Sequence, residues 1–292
     1  MPPLASDVQA RLSAHLRQLV GERHPRRSPA ALQQAEQYLI SRFQRSGLLV
    51  KTHGFRALGG TYHNVVASLP TVRDKKAPPL LIGAHYDTVA GSPGADDNAS
   101  GLAVMLEAAE QLAKVSLARP VHFIGFGLEE WNLLGSRAYA AHLRKQGRDI
   151  QGAIVLECVG FASQTEGSQT RPPIPVKLPA VGDFLGVVGN EPAKALVEAI
   201  VQAGQQAAVP LKAIPLVVPG QGEQFPDTRR SDHASFWSYG FPAVMLTDTA
   251  NFRNPNYHQP TDTLETLNLE FLAKVAVTVT SAAIDLAGLA QS

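Results

Sequence analysis

Hydrophobic and polar positions change period along this chain. The opening "SDVQARLSAHLRQL" repeats apolar residues every three to four positions, which predicts a helix that Ser6 or Asp7 can cap. A second helical pattern, "SPAALQQAEQYLISRFQRSG", carries its own punctuation, with Ser28 as N-cap, Pro29 at the first helical position and Gly47 at the stop. Alternation then takes over in "LLVKTHGF" and "TYHNVVASL", predicting an antiparallel pair of strands. Three short apolar runs follow, "PLLIGAH", "VHFIGFG" and "AIVLECVG", separated by helical patterns at "ASGLAVMLEAAEQLAK" and "LLGSRAYAAHLRKQG". Later strand candidates are "FLGVVG" and "PAVMLTD", with helices at "PAKALVEAIVQAG", "SDHASFWSYG" and the C-terminal "LEFLAKVAVTVTSAAIDLAGLA". Strands alternating with helices of this length predict a three-layer α/β/α sandwich around a mixed, largely parallel sheet. Two irregular stretches, residues 162–180 and "VVPGQGEQFPDTRR", read as surface loops.

Composition narrows this picture. The 292 residues are 45% hydrophobic, enough for one large core, so a single catalytic-sized domain over 1–292 is expected, with the helices of 6–47 packed on it. Formal net charge is +1, and apart from "RHPRR" at Arg23 to Arg27 the basic residues are scattered, which gives neither a nucleic-acid footprint nor a polybasic membrane patch. Glu270, Lys274 and Asp285 interrupt the long apolar C-terminal segment, so it is expected to pack on the core rather than span a membrane. The N-terminus has no apolar stretch behind a basic start and does not read as a signal peptide, which makes the cytoplasm the expected location. The lone cysteine, Cys158, sits in an apolar run and reads as a buried structural thiol. The sequence leaves oligomeric state open.

Candidate chemistry lies where ligands bind open α/β sheets, beyond the carboxyl ends of the strands. His85 and Asp87 follow "PLLIGA"; Asp96 and Asp97 open the next helix; Glu129 and Glu130 follow "VHFIGFG"; Glu157 ends "AIVL"; and His258 lies after the last strand. Adjacent carboxylates on an extended strand point to opposite faces, so a pair such as Glu129 and Glu130 calls for separate partners. Singly, Asp97 is explicable as a helix cap and each histidine as a structural residue. Jointly they gather negative charge in one crevice, which is costly unless a cation neutralises it. Imidazole and carboxylate ligands without thiolate suit zinc, and also manganese or cobalt. Two histidines and three carboxylates exceed what one catalytic zinc needs, but fit two metals sharing a bridging carboxylate, roughly 3.5 to 4 Å apart.

In order, "GAHYDTV", "PGADDNASG", "GLEEWNLLGS", "LECVG", "SDHASFW" and "NPNYHQPTDT" resemble metallopeptidase family twenty-eight of clan MH, over about residues 60 to 285. The resemblance implies a zinc-exopeptidase fold, two zinc ions per chain, and an aminopeptidase acting on peptide or small aminoacyl substrates. It implies that Asp97 bridges the metals, that His85 and Glu157 complete one shell and Glu130 and His258 the other, and that Glu129 is the general base. Many members carry aspartate at the position of Glu157. By the same resemblance Asp87 orients His85, Asp96 and Asp262 give similar support, and Tyr257 assists the oxyanion, while a core or surface tyrosine explains Tyr257 equally well. Ser231, Asp232 and His233 match a family signature, although helix capping by Ser231 or Asp232 also accounts for them. Two rivals share the fold: the single-zinc glutaminyl cyclase, and a binding module that has lost its metal ligands. Arg229 and Arg230 are able to meet a substrate carboxylate, or to be a solvated loop pair.

Overall fold

The computed structural model describes residues 5–69, 76–174 and 176–290. Its centre is a mixed sheet, eight-stranded among the described residues, comprising β1 (Leu49–Ala57), β2 (Gly60–Ser68), β3 (Leu80–His85), β4 (Val121–Phe126), β5 (Gly152–Glu157), β6 (Leu185–Asn190), β7 (Ala213–Val218) and β8 (Ala243–Thr247). Spatial order is β1-β2-β4-β3-β5-β8-β6-β7. The neighbours β4, β3, β5 and β8 run parallel, β1–β2 and β2–β4 are antiparallel, and β6 is antiparallel to β8. Among the described residues, seven α-helices flank the sheet: α1 (Ala5–Leu19), α2 (Pro29–Arg45), α3 (Gly101–Leu112), α4 (Leu134–Lys145), α5 (Lys194–Gln206), α6 (His233–Ser238) and α7 (Leu269–Ala287).

Strand alternation divides the core in two. Leu80, Ile82, Phe123, Ile154, Leu156 and Val244 face one layer, packed with α1, α2, α3, α5 and α7. Leu81, Ile124, Phe126, Ala153 and Met245 face the other, against Tyr139 and Leu143 of α4 and Phe236 and Trp237 of α6. Both faces of the parallel strands are therefore covered, which is why those strands read as continuous apolar runs. Each fully buried Leu or Phe contributes about 1.5–3 kcal/mol relative to exposure.

Two elements differ from the sequence reading. Helix α1 begins at Ala5, so Ser6 and Asp7 lie within its first turn rather than at its cap. Strand β7 has no clear sequence signature because Pro215 interrupts it and it lies at the sheet edge, where a missing backbone donor is tolerated. Pro29 does open α2, although Ser28 makes no side-chain cap bond. In α7 the cap is Asn268, whose side chain accepts from the Phe271 amide at 2.9 Å. None of the helices among the described residues is long and apolar enough to cross a membrane.

β3 lies between β4 and β5. Chain order therefore reverses at its carboxyl end, where a crevice opens. The N-terminal region is tied to that crevice by Arg23, which is 2% exposed. Its guanidinium donates to the carbonyls of Leu19, Tyr86 and Gly94, and so fixes both ends of the segment that follows β3. Gly94 is required there: at φ +61° a Cβ would lie 2.4 Å from the carbonyl oxygen of Asp97.

Candidate metal centre

Five chain segments meet at the crevice. His85 is the last residue of β3, Asp97 sits in the irregular turn before α3, Glu129 and Glu130 follow β4, and Glu157 ends β5. His258 arrives from the segment after β8 with a positive φ of 61°, an uncommon conformation for a residue with a side chain. Asp97 is 3% exposed and stands between the histidines: its Oδ1 is 3.1 Å from His85 Nε2 and its Oδ2 is 3.0 Å from His258 Nε2. Glu157 Oε2 lies 3.5 Å from His85 Nε2, and Glu130 Oε2 lies 3.4 Å from His258 Nε2. Glu129 Oε2 is 3.9 Å from His85 Nε2.

The glutamate pair does not occupy an extended strand. Strand β4 ends at Phe126, and Leu128 at φ +60° turns the backbone, so both carboxylates face the same centre while reaching different histidines. Asp87 holds that turn. Its Oδ1 accepts the Glu129 amide at 3.0 Å and its Oδ2 the Glu130 amide at 3.2 Å. The same Oδ1 is 3.6 Å from His85 Nδ1, whose closer partner is the Asp87 carbonyl oxygen at 3.2 Å. Asp262 does the equivalent for the other acidic doublet, accepting the amides of Asp96 and Asp97 at 2.9 and 3.1 Å. Asp96 turns away from the centre and accepts from the Gly160 amide and the Asn254 side chain.

Further residues support or border the centre, and of these Asn98 had no reading in the sequence. Ser231 donates to Glu157 Oε2 at 2.7 Å, a role different from helix capping. Asn98 donates to the Leu156 carbonyl and accepts from the Gly101 and Cys158 amides, joining the Asp97 turn to the end of β5. Cys158 is fully buried with its Sγ 3.4 Å from Glu157 Oε1. Asp232 is fully buried beside the centre, where burial pushes its carboxyl up to about 7. His233 Nε2 instead meets the Thr228 carbonyl at 2.7 Å. Tyr257 stacks on His258, ring centroids 3.9 Å apart, and its hydroxyl is 3.3 Å from Arg230 Nη2.

Electrostatics follow from crowding. Burial opposes charge on His85, but Glu157 and Glu129 outweigh it and raise the imidazole well above its ordinary range. Burial raises Glu129 well above the carboxylate range in spite of His85, with Glu157 and Glu130 adding to the effect. Glu130 is pushed up to about 7, by burial and then by Asp97. His258 rises to about 10 against the effect of burial, through its contacts with Asp97 and Glu130. Asp97 is lowered despite burial because both imidazoles lie against its carboxylate and favour its charge. Such a set holds protons that a bound dication would displace.

The donor set fits metal ions. Among the described residues, His85 Nε2, Asp97 Oδ1, Glu130 Oε1 and His258 Nε2 are buried polar atoms without a hydrogen-bond partner. Unpaired buried groups of this kind are costly and call for a ligand. Three overlapping three-residue groups could each hold an ion: His85 with Asp97 and Glu157, Asp97 with Glu130 and His258, and His85 with Glu129 and Glu130.

A family model, Peptidase family M28, matches residues 64–283. The chain belongs to this family. It is 33% identical over 284 residues to Uncharacterized protein YfbL of Escherichia coli K12, covering 90% of this chain and 84% of that protein. BSAP, a zinc aminopeptidase from Bacillus subtilis, superposes with a TM-score of 0.60 at 27% identity over 78% of this chain and 51% of its own. The chain likewise spans only 52 to 58% of several fungal leucine aminopeptidases it matches. Legionella pneumophila LapA aminopeptidase and Macrostomum lignano glutaminyl cyclase both reach a TM-score of 0.73, at 20% and 19% identity, covering 99% and 98% of this chain and 72% and 92% of their own. Overall shape is thus common to M28 peptidases and cyclases, and the distinction between them falls to the site.

Proposed function

We propose that this M28 chain is a zinc-dependent aminopeptidase that removes N-terminal residues from peptides, with two metal ions per chain, both of which Asp97 would help to hold. The observation that carries the reading is the position of Asp97, whose two oxygens each face a different unpartnered histidine Nε2, at 3.1 and 3.0 Å. One ion would be held by His85, Asp97 and Glu157, the other by Asp97, Glu130 and His258. When bound, such ions supply Lewis acidity and make water a nucleophile near neutral pH.

The chain's own residues then divide the work. Glu129, held by Asp87 through its amide, accepts one proton from the attacking water as the water oxygen bonds to the scissile carbonyl carbon. Tyr257, whose hydroxyl oxygen accepts from Arg230, keeps its own proton free to donate to the developing oxyanion. Burial, first, and then Asp97 keep that phenol well above its usual pKa, so it remains a donor. As the C–N bond breaks, Glu129 returns its proton to the leaving amine.

Beside Glu157 and Tyr257 lies an apolar pocket lined by Ile174, Val176, Leu178, Val188, Leu216 and Met245. It suits an apolar side chain on the residue that is released. Part of its wall comes from the loop of 162–180. The test is metal analysis of the purified protein together with hydrolysis of free and N-blocked peptides. Two metals per chain with chelator-sensitive release of an apolar N-terminal residue supports the reading. One metal with pyroglutamate formation replaces it with the cyclase, and no turnover after zinc addition with the binding module.

A further inference from the structure

A second, polar cleft opens beside the centre. Its wall includes Glu129, Glu130 and His258, and facing them Arg137, Arg229 and Arg230 with the hydroxyls of Ser235 and Ser238. Arg230 and Tyr257 line both cavities and so form the partition between the apolar one and this polar one. The division assigns the two sides of the scissile bond. Glu129 must reach the leaving nitrogen to return a proton, and Glu129 lines only the polar cleft of the two; Glu157 lines only the apolar cavity. The leaving amine and whatever follows it therefore occupy the arginine side.

The arginines are not equivalent. Arg230 is committed, with Nη1 2.8 Å from Asn251 Oδ1 and 3.5 Å from Asp227, and Nη2 at Tyr257. Arg229 donates to the Gln221 carbonyl and reaches Ser238 Oγ at 3.4 Å, with no carboxylate in ion-pair range among the described residues. Arg137, exposed in the first turn of α4, has no side-chain partner among the described residues. A peptide carboxylate entering beside Glu129 and Glu130 would be repelled unless cations meet it, and guanidinium groups are suited to that.

We propose that Arg137 and Arg229 receive the free C-terminal carboxylate of the leaving residue, so that the substrates of this site are short peptides with an apolar first residue and a free C-terminus, dipeptides foremost. The inference rests on the aminopeptidase reading. The experiment compares kcat/KM of the metal-loaded enzyme for Leu-Ala and Leu-Ala-amide, in the wild type and in an Arg137→Ala/Arg229→Ala double variant. It also measures, by calorimetry, binding of both peptides to Glu129→Gln protein with and without the two arginines. The wild type should favour the free acid by at least about tenfold, the order of one charge-assisted hydrogen bond, and the double variant should bring both the kinetic and the binding ratio near unity. An equal preference in the wild type, or a ratio that survives both substitutions, overturns the carboxylate role while leaving the aminopeptidase intact. Hydrolysis of neither peptide by the wild type overturns the aminopeptidase reading and this inference with it.

Discussion

Asp87 holds Glu129 by its backbone: the carboxylate Oδ1 accepts the Glu129 amide at 3.0 Å, while Oδ2 accepts that of Glu130 at 3.2 Å. One buried side chain thus sets the position of two adjacent acids that would otherwise repel each other. Asp87→Asn replaces one acceptor by an NH₂ group facing an N–H. The expected result is a folded protein with activity or metal affinity reduced about 10- to 100-fold. Circular dichroism, bound-metal analysis and kcat measured on one preparation check it; full activity would show that the bonds do not position the pair.

The two glutamates should separate by assay. Glu129→Gln is expected to retain metal and lose about 10²- to 10⁴-fold in kcat. Glu130→Gln is expected to lose metal, because Glu130 belongs to two of the three candidate groups and lies 3.4 Å from His258, whereas Glu129 belongs to one and lies 3.9 Å from His85. Metal content by mass spectrometry after dialysis distinguishes them, and loss of metal from the Glu129 variant would reverse the assignment.

Ser231 is fully buried and donates to Glu157 Oε2 at 2.7 Å. Ser231→Ala leaves that oxygen without its donor, and metal retention against a competing chelator should weaken about 10-fold or more. Ser231→Thr, which keeps the hydroxyl, should recover most of it. Unchanged chelator competition in the alanine variant would remove Ser231 from the support of Glu157.

A pH dependence lies far from the centre. His15, 3% exposed between α1 and α2, has its pKa lowered to about 4, first by burial, then by Arg42, with Arg11 adding and Glu110 opposing. Its Nδ1 meets the Tyr38 hydroxyl at 2.8 Å. A depressed histidine leaves the unfolded chain binding more protons, so stability is full above about pH 6.5 and falls as the pH drops toward 4, by at most about 3 kcal/mol for this group. His15→Leu should flatten the Tm-versus-pH curve in that window relative to wild type. Parallel curves would exclude His15 as a source of acid sensitivity.

The Gly94 turn gives a stability test. Gly94→Ala places a methyl 2.4 Å from both the Asp97 carbonyl oxygen and Thr88 Cγ2, in a left-handed conformation. A loss of about 1–3 kcal/mol is expected from denaturant unfolding, accompanied by weaker metal retention since Asp97 must shift. A wild-type midpoint would show that the turn relaxes freely.

Periodicity alone was enough to place β1 to β6, β8 and most helix bodies, because apolar alternation and 3.6-residue repeats are local consequences of which face is buried. The ordered motifs likewise marked His85, Asp97, Glu129, Glu130, Glu157 and His258, since each follows the end of a strand or a loop at the same edge of the sheet. Strand β7 escaped because an edge position relaxes the very pattern that identifies a strand. What tertiary structure alone decided are the contacts between residues remote in the chain. Ser231 reaches Glu157 across 74 positions, Asp262 reaches Asp97 across 165, and Arg23 ties the N-terminal region to the Gly94 turn. Hydrogen bonds of that kind leave no periodic trace. They depend on where sheet order brings strand ends together, and with β3 set between β4 and β5 that is a property of the folded chain rather than of any segment of it.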